Sequence, residues 1–252
     1  MKFNVFLINL SRSKDRLAHS AKQLNALGIK FERLEAVDGA NLTYEQIHRN
    51  YDKAANIKRY KKNLSAGEVA CYLSHRQAWK RIIDDNLDYA IILEDDAVVD
   101  ISFIDLHAAL SKLQNWDYIR IAHFPEKYAI DERVDIGCNH KLVHFNKIPV
   151  NTAAQAVSFK GAKQLYLKSM QFCRPIDIDL KHYWEKGFDL IGLTPCYVTP
   201  TAKFESNITS ISYDQGREKA SKFVRRLRYI FNFKIQNFLN KKQRPELSNY
   251  VK

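Results

Sequence analysis

Short apolar runs separated by amphipathic segments dominate the first two hundred residues of the chain. Residues 3–10 form the first run, and Leu17, Leu24 and Leu27 then recur at helical spacing along the next segment. Residues 31–37 form another apolar run, so the pattern predicts a strand, a helix and a second strand. No G-x-G-x-x-G pattern joins these elements, so the fingerprint of dinucleotide-binding folds is absent.

The middle of the chain predicts a long helix followed by a buried strand. Ser65 and Glu68 have the S-x-x-E spacing of a capping box, and apolar residues follow at helical spacing for several turns. The next strand begins at Tyr89 and is apolar until Glu94, which suits a strand covered on both faces. Residues 41–64 predict a helix followed by a mobile loop, and residues 101–113 predict a further helix. Strands are predicted at 118–122 and 150–159, and a strand pair at 189–198. Their alternation with helical segments indicates an α/β fold.

The C-terminal segment differs from the rest in charge. Residues 217–244 contain ten Lys or Arg and one acid, so they carry +9 of the net charge of +12 and leave +3 for all other residues. An apolar stripe at helical spacing runs through the same segment: Phe223, Leu227, Ile230, Phe231, Ile235, Phe238 and Leu239. We therefore predict a main domain, 1–212, and a basic amphipathic helical tail, 213–252.

Such a tail suits an anionic membrane surface, and the alternative is a helix packed on the domain with a solvated charged back. Nucleic-acid binding is not expected, because the basic residues are confined to one segment and are not interleaved with aromatics across the domain.

The composition favours a globular, cytoplasmic protein. A chain of 252 residues, 46% of them hydrophobic, can bury a full core, and no apolar run approaches the length of a membrane span. Residues 1–10 are interpreted as a strand and not as a signal peptide, since Asn9 interrupts the run and no small-residue cleavage site follows. The four cysteines lie far apart without a C-x-x-C pair, so we expect a reducing compartment.

Three adjacent acids, Glu94, Asp95 and Asp96, end the central strand. Ligands bind at the carboxyl ends of strands in open α/β sheets, and buried carboxylates are costly without a compensating positive group. A hard divalent cation carrying a diphosphate meets both conditions, because Mg²⁺-like ions take one or two carboxylates together with substrate phosphates. The alternative is a solvated acidic turn after a core strand.

Several motifs occur together in one order along residues 1 to 200. They are INLSRSKDR (8–16), LSAGEVACYLSH (64–75), WK (79–80), ILEDD (92–96), AQAVSFKGA (154–162) and PID (175–177). In this combination the chain resembles glycosyltransferase family 25, the lipooligosaccharide galactosyltransferases of Gram-negative bacteria, to which collagen hydroxylysine galactosyltransferases are distantly related. Each motif alone is weakly specific, and their joint order carries the resemblance.

The resemblance implies a GT-A-like nucleotide-sugar-binding fold, with a mostly parallel central sheet flanked by helices and, here, a basic C-terminal helix. It implies inverting transfer of galactose, or less often glucose, from a UDP-sugar to a hydroxyl of a lipooligosaccharide or lipopolysaccharide acceptor, with Mn²⁺ or Mg²⁺ as cofactor. Glu94, Asp95 and Asp96 then correspond to the D-x-D metal motif, with Glu94 and Asp96 at its outer positions. The expected location is the cytoplasmic face of the inner membrane, with residues 217–244 on anionic lipid.

Two carboxylates are candidates for the base that deprotonates the acceptor hydroxyl. Asp177 is the first candidate, because the Pro-x-Asp motif sets a carboxylate in a defined turn, and Glu68 is the second. Both also fit a helix cap or first-turn acid. The predicted nucleotide-binding set consists of Asn9, Arg12, Arg16, His75 and Asp95. Within it, the arginines also fit solvated helix-start charges, and His75 also fits a core histidine.

Two other classes of function share parts of this pattern. A non-catalytic nucleotide- or polyanion-binding module would use the basic tail to bind nucleic acid. A nucleotidyltransferase would use similar carboxylate–metal chemistry but release pyrophosphate where a glycosyltransferase releases UDP.

Overall fold

The structure of the chain is a computed structural model that describes residues 1–124, 128, 130–137, 139–200 and 219–252. Its strands are β1 Phe3–Asn9, β2 Glu32–Glu35, β3 Tyr89–Glu94, β4 Ala97–Val99, β5 Tyr118–Arg120, β6 Ile130–Gly137, β7 His140–Phe145, β8 Ala154–Ser158, β9 Leu190–Thr194 and β10 Val198–Pro200. Its α-helices are α1 Lys14–Ala26, α2 Tyr44–Asn50, α3 Lys53–Arg59, α4 Ala66–Asp84, α5 Leu106–Ser111, α6 Phe159–Leu167, α7 Ile176–Asp179, α8 Tyr183–Lys186 and α9 Lys219–Lys241. Short 3₁₀ helices lie at Gly39–Asn41, Ile101–Asp105, Leu180–His182 and Leu247–Tyr250.

Eight strands form one mixed sheet in the order β2-β1-β3-β8-β5-β9-β7-β6. β1 pairs in parallel with β2 and β3, and β5 pairs in parallel with β9. β8 runs antiparallel between β3 and β5, and β7 runs antiparallel between β9 and β6. Six of the eight strands therefore point the same way, which agrees with the predicted parallel majority. β4 and β10 form a separate antiparallel ribbon.

Helices cover both faces of the sheet, as the α/β prediction requires. Successive strand residues point to opposite faces. On β1, Phe6 and Ile8 belong to a core cluster shared with α4, α6 and α7, whereas Val5 and Leu7 belong to a second cluster shared with α1 and α5. The edge of the sheet that carries the acid triplet thus has α4 and α7 on one face and α1 on the other.

Several predicted elements differ from those observed. Residues 41–64, expected as a helix and a mobile loop, contain α2 and α3, whose N-termini are capped by the side chains of Thr43 and Asp52. Residues 101–113, expected as one helix, begin as a 3₁₀ helix and become α-helical at Leu106. The predicted strand pair at 189–198 forms β9 and β10, but these strands belong to different sheets.

The end of the chain belongs to the main body. The predicted boundary between residues 212 and 213 lies outside the described residues. Leu247 and Tyr250 are buried in the core, at 0% and 2% exposure, and Val251 forms a β-bridge with Leu113. The predicted tail therefore consists of the helix α9 followed by a segment that completes the core.

α9 contacts the domain through a polar and aromatic face. Arg225 is 4% exposed and donates hydrogen bonds to the backbone oxygen of Tyr60 at 3.2 Å and to the Asn56 side chain at 2.8 Å. Tyr229 and Phe233 follow at four-residue spacing, and their rings pack against aromatic side chains of the domain. This spacing keeps one side of the helix against the body.

The opposite side of α9 carries the predicted apolar stripe, and it faces solvent. Its members are between 37% and 66% exposed: Phe223, Leu227, Ile230, Phe231, Ile235, Phe238 and Leu239. Among the described residues, no helix is both long enough and apolar enough to cross a bilayer.

The buried side chain of His182 makes the stability of the fold depend on pH. It is 4% exposed among aromatic rings, and its Nδ1 lies 2.9 Å from the Ile178 backbone oxygen. Burial, followed by the charge of Arg174, lowers the pKa of His182 from its ordinary value of 6.5 to about 4. The neutral imidazole therefore contributes stability that is fully present above pH 6.5 and is lost as the pH falls towards 4.

We expect His182→Phe to lose less stability than the wild type between pH 6.5 and pH 4, by up to about 3 kcal/mol. Urea unfolding at a series of pH values measures the free energy of unfolding of each protein. Phenylalanine keeps the ring in its aromatic surroundings, so the comparison isolates the titration. Parallel pH profiles for the two proteins would contradict the prediction.

Candidate active site

The carboxyl ends of three strands define one edge of the sheet. β1 and β3 end together, because Ile8 pairs with Glu94 in the parallel register. β5 ends at Arg120, which lies opposite Gln155 on the intervening strand β8. Since β1, β3 and β5 run in the same direction, Asn9, Glu94 and Arg120 lie along the edge where ligands bind in open α/β sheets.

Asp95 is held by the first strand and helix. The Asn9 Nδ2 atom donates to Asp95 Oδ2 at 2.6 Å, and the Arg16 guanidinium donates to Asp95 Oδ1 at 3.2 Å. Ser20 donates to the backbone oxygen of Asp95 at 3.2 Å. Asn9, Arg16 and Asp95 were predicted as nucleotide contacts, and Asp95 also as a metal ligand. In the structure these three side chains bind one another and fix the turn that follows β3.

Glu94 belongs to a second hydrogen-bond network. Its Oε1 atom lies 2.8 Å from His75 Nε2 and accepts a hydrogen bond from the Thr152 hydroxyl at 2.5 Å. Gln155 contacts the other ring nitrogen of His75 at 3.0 Å. Burial opposes ionisation of Glu94, but His75, Thr152 and the charge of Arg120 outweigh it and hold its pKa below the usual value. Glu94 is therefore ionised, and both side-chain contacts of this network are made through Oε1.

Asp96 is the acid of the triplet with no side-chain partner among the described residues. Burial and the negative charges of Glu94 and Asp95 raise its pKa to about 6, and Arg16 offsets part of that rise. An ionised Asp96 thus experiences uncompensated negative charge. A bound divalent cation would remove this penalty, so the donor set fits a metal held by Asp96 and Glu94. Each carboxylate oxygen of Asp95 already accepts a hydrogen bond, from Asn9 or from Arg16, so its role as a metal ligand stays a prediction.

A second set of possible ligand atoms lies beside this site. Cys71 and His75 are one turn apart on α4, and their ligand atoms lie within 4.8 Å of one another and of a Glu94 oxygen. The sequence analysis gave Cys71 no role. The available signal was the four-residue spacing of Cys71 and His75 on a predicted helix, which puts both on one face.

The cleft next to the acids is walled by the loop after β2. The Arg12 side chain, half exposed, forms an ion pair with Asp38 in that loop. Gly39 allows the loop to meet α4, because a Cβ at this position would lie 2.8 Å from the backbone nitrogen of Gly67. Arg12, Asp38 and Asp96 all line the resulting cleft. Of the predicted nucleotide contacts, Arg12 therefore has the most open position.

A larger hollow lies at the opposite ends of β1 and β3, next to Phe3 and His107. Its lining carboxylate, Asp85, is already paired with Arg81 at 3.0 Å. The acid triplet lines the smaller cleft at the carboxyl edge and does not line this hollow.

Asp177 lies in the first turn of α7, as predicted. Its Oδ1 atom accepts a hydrogen bond from the backbone nitrogen of Ile178 at 2.8 Å. Burial raises the pKa of Asp177, and the negative charges of Glu94 and Glu68 raise it further. Its charge therefore interacts with the acid triplet across the site, and a raised pKa makes its carboxylate a stronger base.

The neighbouring Asp179 fixes α7. Its carboxylate accepts a hydrogen bond from the Tyr72 hydroxyl at 2.7 Å and forms ion pairs with Arg174 and Lys186 at 3.2 and 3.0 Å. Asp177 is thereby held on a short helix whose position is set by buried charge pairs.

Glu68 is a helix cap in the structure. Its Oε2 atom accepts from the Ser65 backbone nitrogen at 2.9 Å, the Ser65 hydroxyl accepts from the Glu68 backbone nitrogen, and Lys62 pairs with Oε1 at 2.9 Å. Both carboxylate oxygens have a protein partner, which favours Asp177 over Glu68, and Glu68 as the alternative base stays a prediction. The S-x-x-E capping box itself is confirmed.

Arg120 is a site residue that the sequence analysis missed. It is 3% exposed at the end of β5, and its charge lowers the pKa of Glu94. The signal was a single arginine in an otherwise apolar predicted strand. Ligands bind at the carboxyl ends of strands in open α/β sheets, and a charged residue at such an end was also the reason for selecting Glu94.

Comparison with known proteins agrees with this geometry. The family model of glycosyltransferase family 25, described as an LPS biosynthesis protein, matches residues 2–180. Procollagen galactosyltransferase 2 of Mus musculus is 33% identical over 230 residues, which cover 78% of this chain and 35% of that protein. A Haemophilus influenzae protein described as a glycosyltransferase is 25% identical over 236 residues, 85% of this chain and 76% of that one. The chain thus spans about a third of the length of the procollagen relatives.

Among solved structures, a glycosyltransferase involved in glycosylation of the major capsid of PBCV-1 overlaps 81% of this chain and 95% of that chain. Its TM-score is 0.41 and its sequence identity is 13%. The family match, in contrast, covers the acids that end β3, the helix α4 and Asp177. This chain belongs to glycosyltransferase family 25.

Proposed function

We propose that the protein is an inverting hexosyltransferase that moves galactose, or glucose, from a UDP-sugar to a hydroxyl of a lipooligosaccharide or lipopolysaccharide acceptor. The observation that carries this proposal is the presence of two carboxylates, Asp96 and Asp177, whose surroundings raise their pKa values. Asp96 lies next to the negative charges of Glu94 and Asp95, and Asp177, whose charge interacts with that of Glu94, also has a raised pKa. The fold that we propose for this site is of the GT-A type.

In the proposed reaction the acceptor oxygen attacks the anomeric carbon from the face opposite the departing diphosphate. A carbon–oxygen bond to the acceptor forms, the bond to the phosphate oxygen breaks, and the hydroxyl proton passes to the Asp177 carboxylate. Asp177 is suited to this role because its burial beside Glu94 and Glu68 raises its affinity for a proton. Asn9, Arg16 and Asp95 support the site by fixing the turn that carries Asp96.

The residues that would hold a divalent metal, Mn²⁺ or Mg²⁺, are Asp96 and Glu94. When bound there, such an ion supplies Lewis-acid neutralisation of the diphosphate leaving group. His75 and Thr152 orient Glu94 by holding its Oε1 atom, which leaves Oε2 for a ligand. Arg12 is the proposed contact for the nucleotide, because it lines the open cleft.

A UDP-release assay tests this function. UDP-galactose, UDP-glucose and other UDP-sugars are incubated with truncated lipooligosaccharide acceptors, with and without Mn²⁺, and both UDP and the anomeric configuration of the product are measured. Acceptor-dependent UDP release with inverted configuration is expected. A non-catalytic module would bind UDP without turnover, and a nucleotidyltransferase would release pyrophosphate. Either result would replace the proposed function.

We also propose that the enzyme works at the cytoplasmic face of an anionic membrane. The support is the orientation of α9, whose apolar stripe is exposed while Arg225 and Tyr229 hold the opposite side on the domain. Phe231 and Phe238 are 66% and 60% exposed, and basic residues such as Lys234 lie on the same helix. An apolar face with flanking basic residues fits an interface rich in anionic lipid.

Replacement of Leu227, Phe231 and Phe238 by glutamine is expected to weaken binding to vesicles that contain anionic lipid by about 10-fold or more, since each side chain would lose apolar burial. Vesicle co-sedimentation measures the bound fraction. The exposed polar pair Asn232→Ala and Gln236→Ala serves as control. Point variants are preferred to deletion of the tail, because Leu247 and Tyr250 belong to the core. Equal binding of all proteins would contradict the membrane proposal.

A further inference from the structure

Arg120 is a buried cation, and two of its nitrogens have no hydrogen-bond partner among the residues that the structure describes. The residue is 3% exposed, and within that part of the chain neither Nε nor Nη2 has an acceptor. Buried guanidinium groups are normally paired with carboxylates or backbone oxygens, because an unpaired buried charge costs on the order of several kcal/mol. Most other charges around the site have such partners: Arg16 binds Asp95, Arg12 binds Asp38 and Lys62 binds Glu68.

The place of Arg120 in the sheet sets what it can reach. It ends β5, and its register partner on β8 is Gln155, whose amide contacts His75, the partner of Glu94. The Gln155 Oε1 atom also has no partner in the described ranges of the chain, so donors and an acceptor without hydrogen bonds lie on the same face of adjacent strands. A group that enters between them can accept from the guanidinium.

The charge and the shape of the guanidinium indicate the chemistry of that group. Arg120 interacts electrostatically with both Asp177 and Glu94, yet it forms an ion pair with neither. Its guanidinium therefore lies within electrostatic range of both acids while Nε and Nη2 keep unused donors. A guanidinium presents a planar fork of donors that matches phosphate oxygens.

We propose that Arg120 is a catalytic residue that donates hydrogen bonds to the diphosphate of the nucleotide-sugar donor. This inference rests on the proposed function, because it takes the diphosphate as the anion bound at this edge. As the bond between the anomeric carbon and the phosphate oxygen breaks, negative charge grows on the diphosphate. A preorganised, permanently charged guanidinium stabilises that charge, and no proton has to move.

The test compares nucleotide binding by wild type, Arg120→Gln and Arg120→Lys. Isothermal titration with UDP and with uridine separates the contribution of the diphosphate from that of the base and ribose. The expected result is a loss of UDP affinity of about 10- to 100-fold in Arg120→Gln, a smaller loss in Arg120→Lys, and unchanged affinity for uridine. Arg81→Gln, an arginine on a partly exposed part of α4, is the matched control.

The thermal midpoint of each protein without ligand checks the fold. It is expected to change little in Arg120→Gln, because the substitution removes an unpaired buried charge but also removes the attraction between Arg120 and Glu94. If Arg120→Gln is less stable than the wild type, the ratio of UDP affinity to uridine affinity in Arg120→Lys is used to test the inference. A lower ratio than in the wild type supports the inference, and an unchanged ratio contradicts it.

Unchanged UDP affinity in the Arg120 variants, or a rise confined to the KM of the acceptor, would overturn this inference and leave the proposed function intact. Failure of the wild type to bind any nucleoside diphosphate would overturn both. The two failures are therefore distinguishable.

Discussion

Asp96→Asn is expected to lose nearly all sugar transfer while the ligand-free protein remains as stable as the wild type or becomes more stable. The activity should fall by about 1,000-fold, the scale of several kcal/mol of leaving-group stabilisation. The stability should not fall, because the ionised carboxylate lies in uncompensated negative charge that raises its pKa to about 6. A neutral amide removes this repulsion at neutral pH, where the native side chain is charged.

Two measurements check this result. UDP release gives the activity, and the shift of the thermal midpoint on addition of UDP with Mn²⁺ reports metal binding without turnover. Asp84→Asn is the matched control, since Asp84 forms a surface pair with Lys80 away from the site. Normal turnover in Asp96→Asn, or a Mn²⁺-dependent shift equal to that of the wild type, would disprove the metal assignment.

Asp177→Asn should lose about 100- to 10,000-fold in turnover, the range for removal of a general base, and should keep its affinity for UDP. The amide is nearly the same size and can still accept the hydrogen bond from the Ile178 backbone nitrogen, so α7 is expected to stay in place. It cannot take a proton from the acceptor. The variant should therefore bind donor and acceptor without transferring the sugar.

Glu68→Gln is the comparison that assigns the base. Glutamine is compatible with the capping box formed with Ser65, so this variant should keep most of its turnover. Steady-state rates and UDP titrations on both variants separate the two roles. If Asp177→Asn is active and Glu68→Gln is not, the base is Glu68 and the occupied oxygens of that residue must be released during the reaction.

The local elements were predictable where one physical signal dominated. The capping box at Ser65 and Glu68 and the apolar run from Tyr89 to Glu94 each specify their element by themselves, and both are confirmed. The two short helices between residues 44 and 59 were not, because their caps, Thr43 and Asp52, lie in a polar segment without apolar periodicity. The reversed strands β7 and β8 were also not specified by their sequence patterns.

The position of the candidate site could be predicted from the sequence, but the hydrogen-bond partners of each acid within it could not. A triplet of acids after a buried strand marks the edge, yet nothing in its order distinguishes Asp95, which is bound by Asn9 and Arg16, from Asp96. That distinction arises from residues about 80 positions away that meet only in the folded chain. For the same reason, the apolar stripe of α9 was visible in the sequence, whereas its solvent-facing orientation depends on Arg225 binding residues near Tyr60.

The packing of residues 247–251 next to the end of α5 affects how the protein folds during its synthesis. Leu247 and Tyr250 fill the face of the sheet opposite the cleft, and the backbone at Lys112 and Leu113 bonds to Lys252 and Val251. That hydrophobic layer therefore stays unfinished until these residues have emerged from the ribosome. Until then, we expect a nascent chain to expose the apolar surface that Leu247 and Tyr250 cover, and such exposure promotes aggregation of unfinished chains.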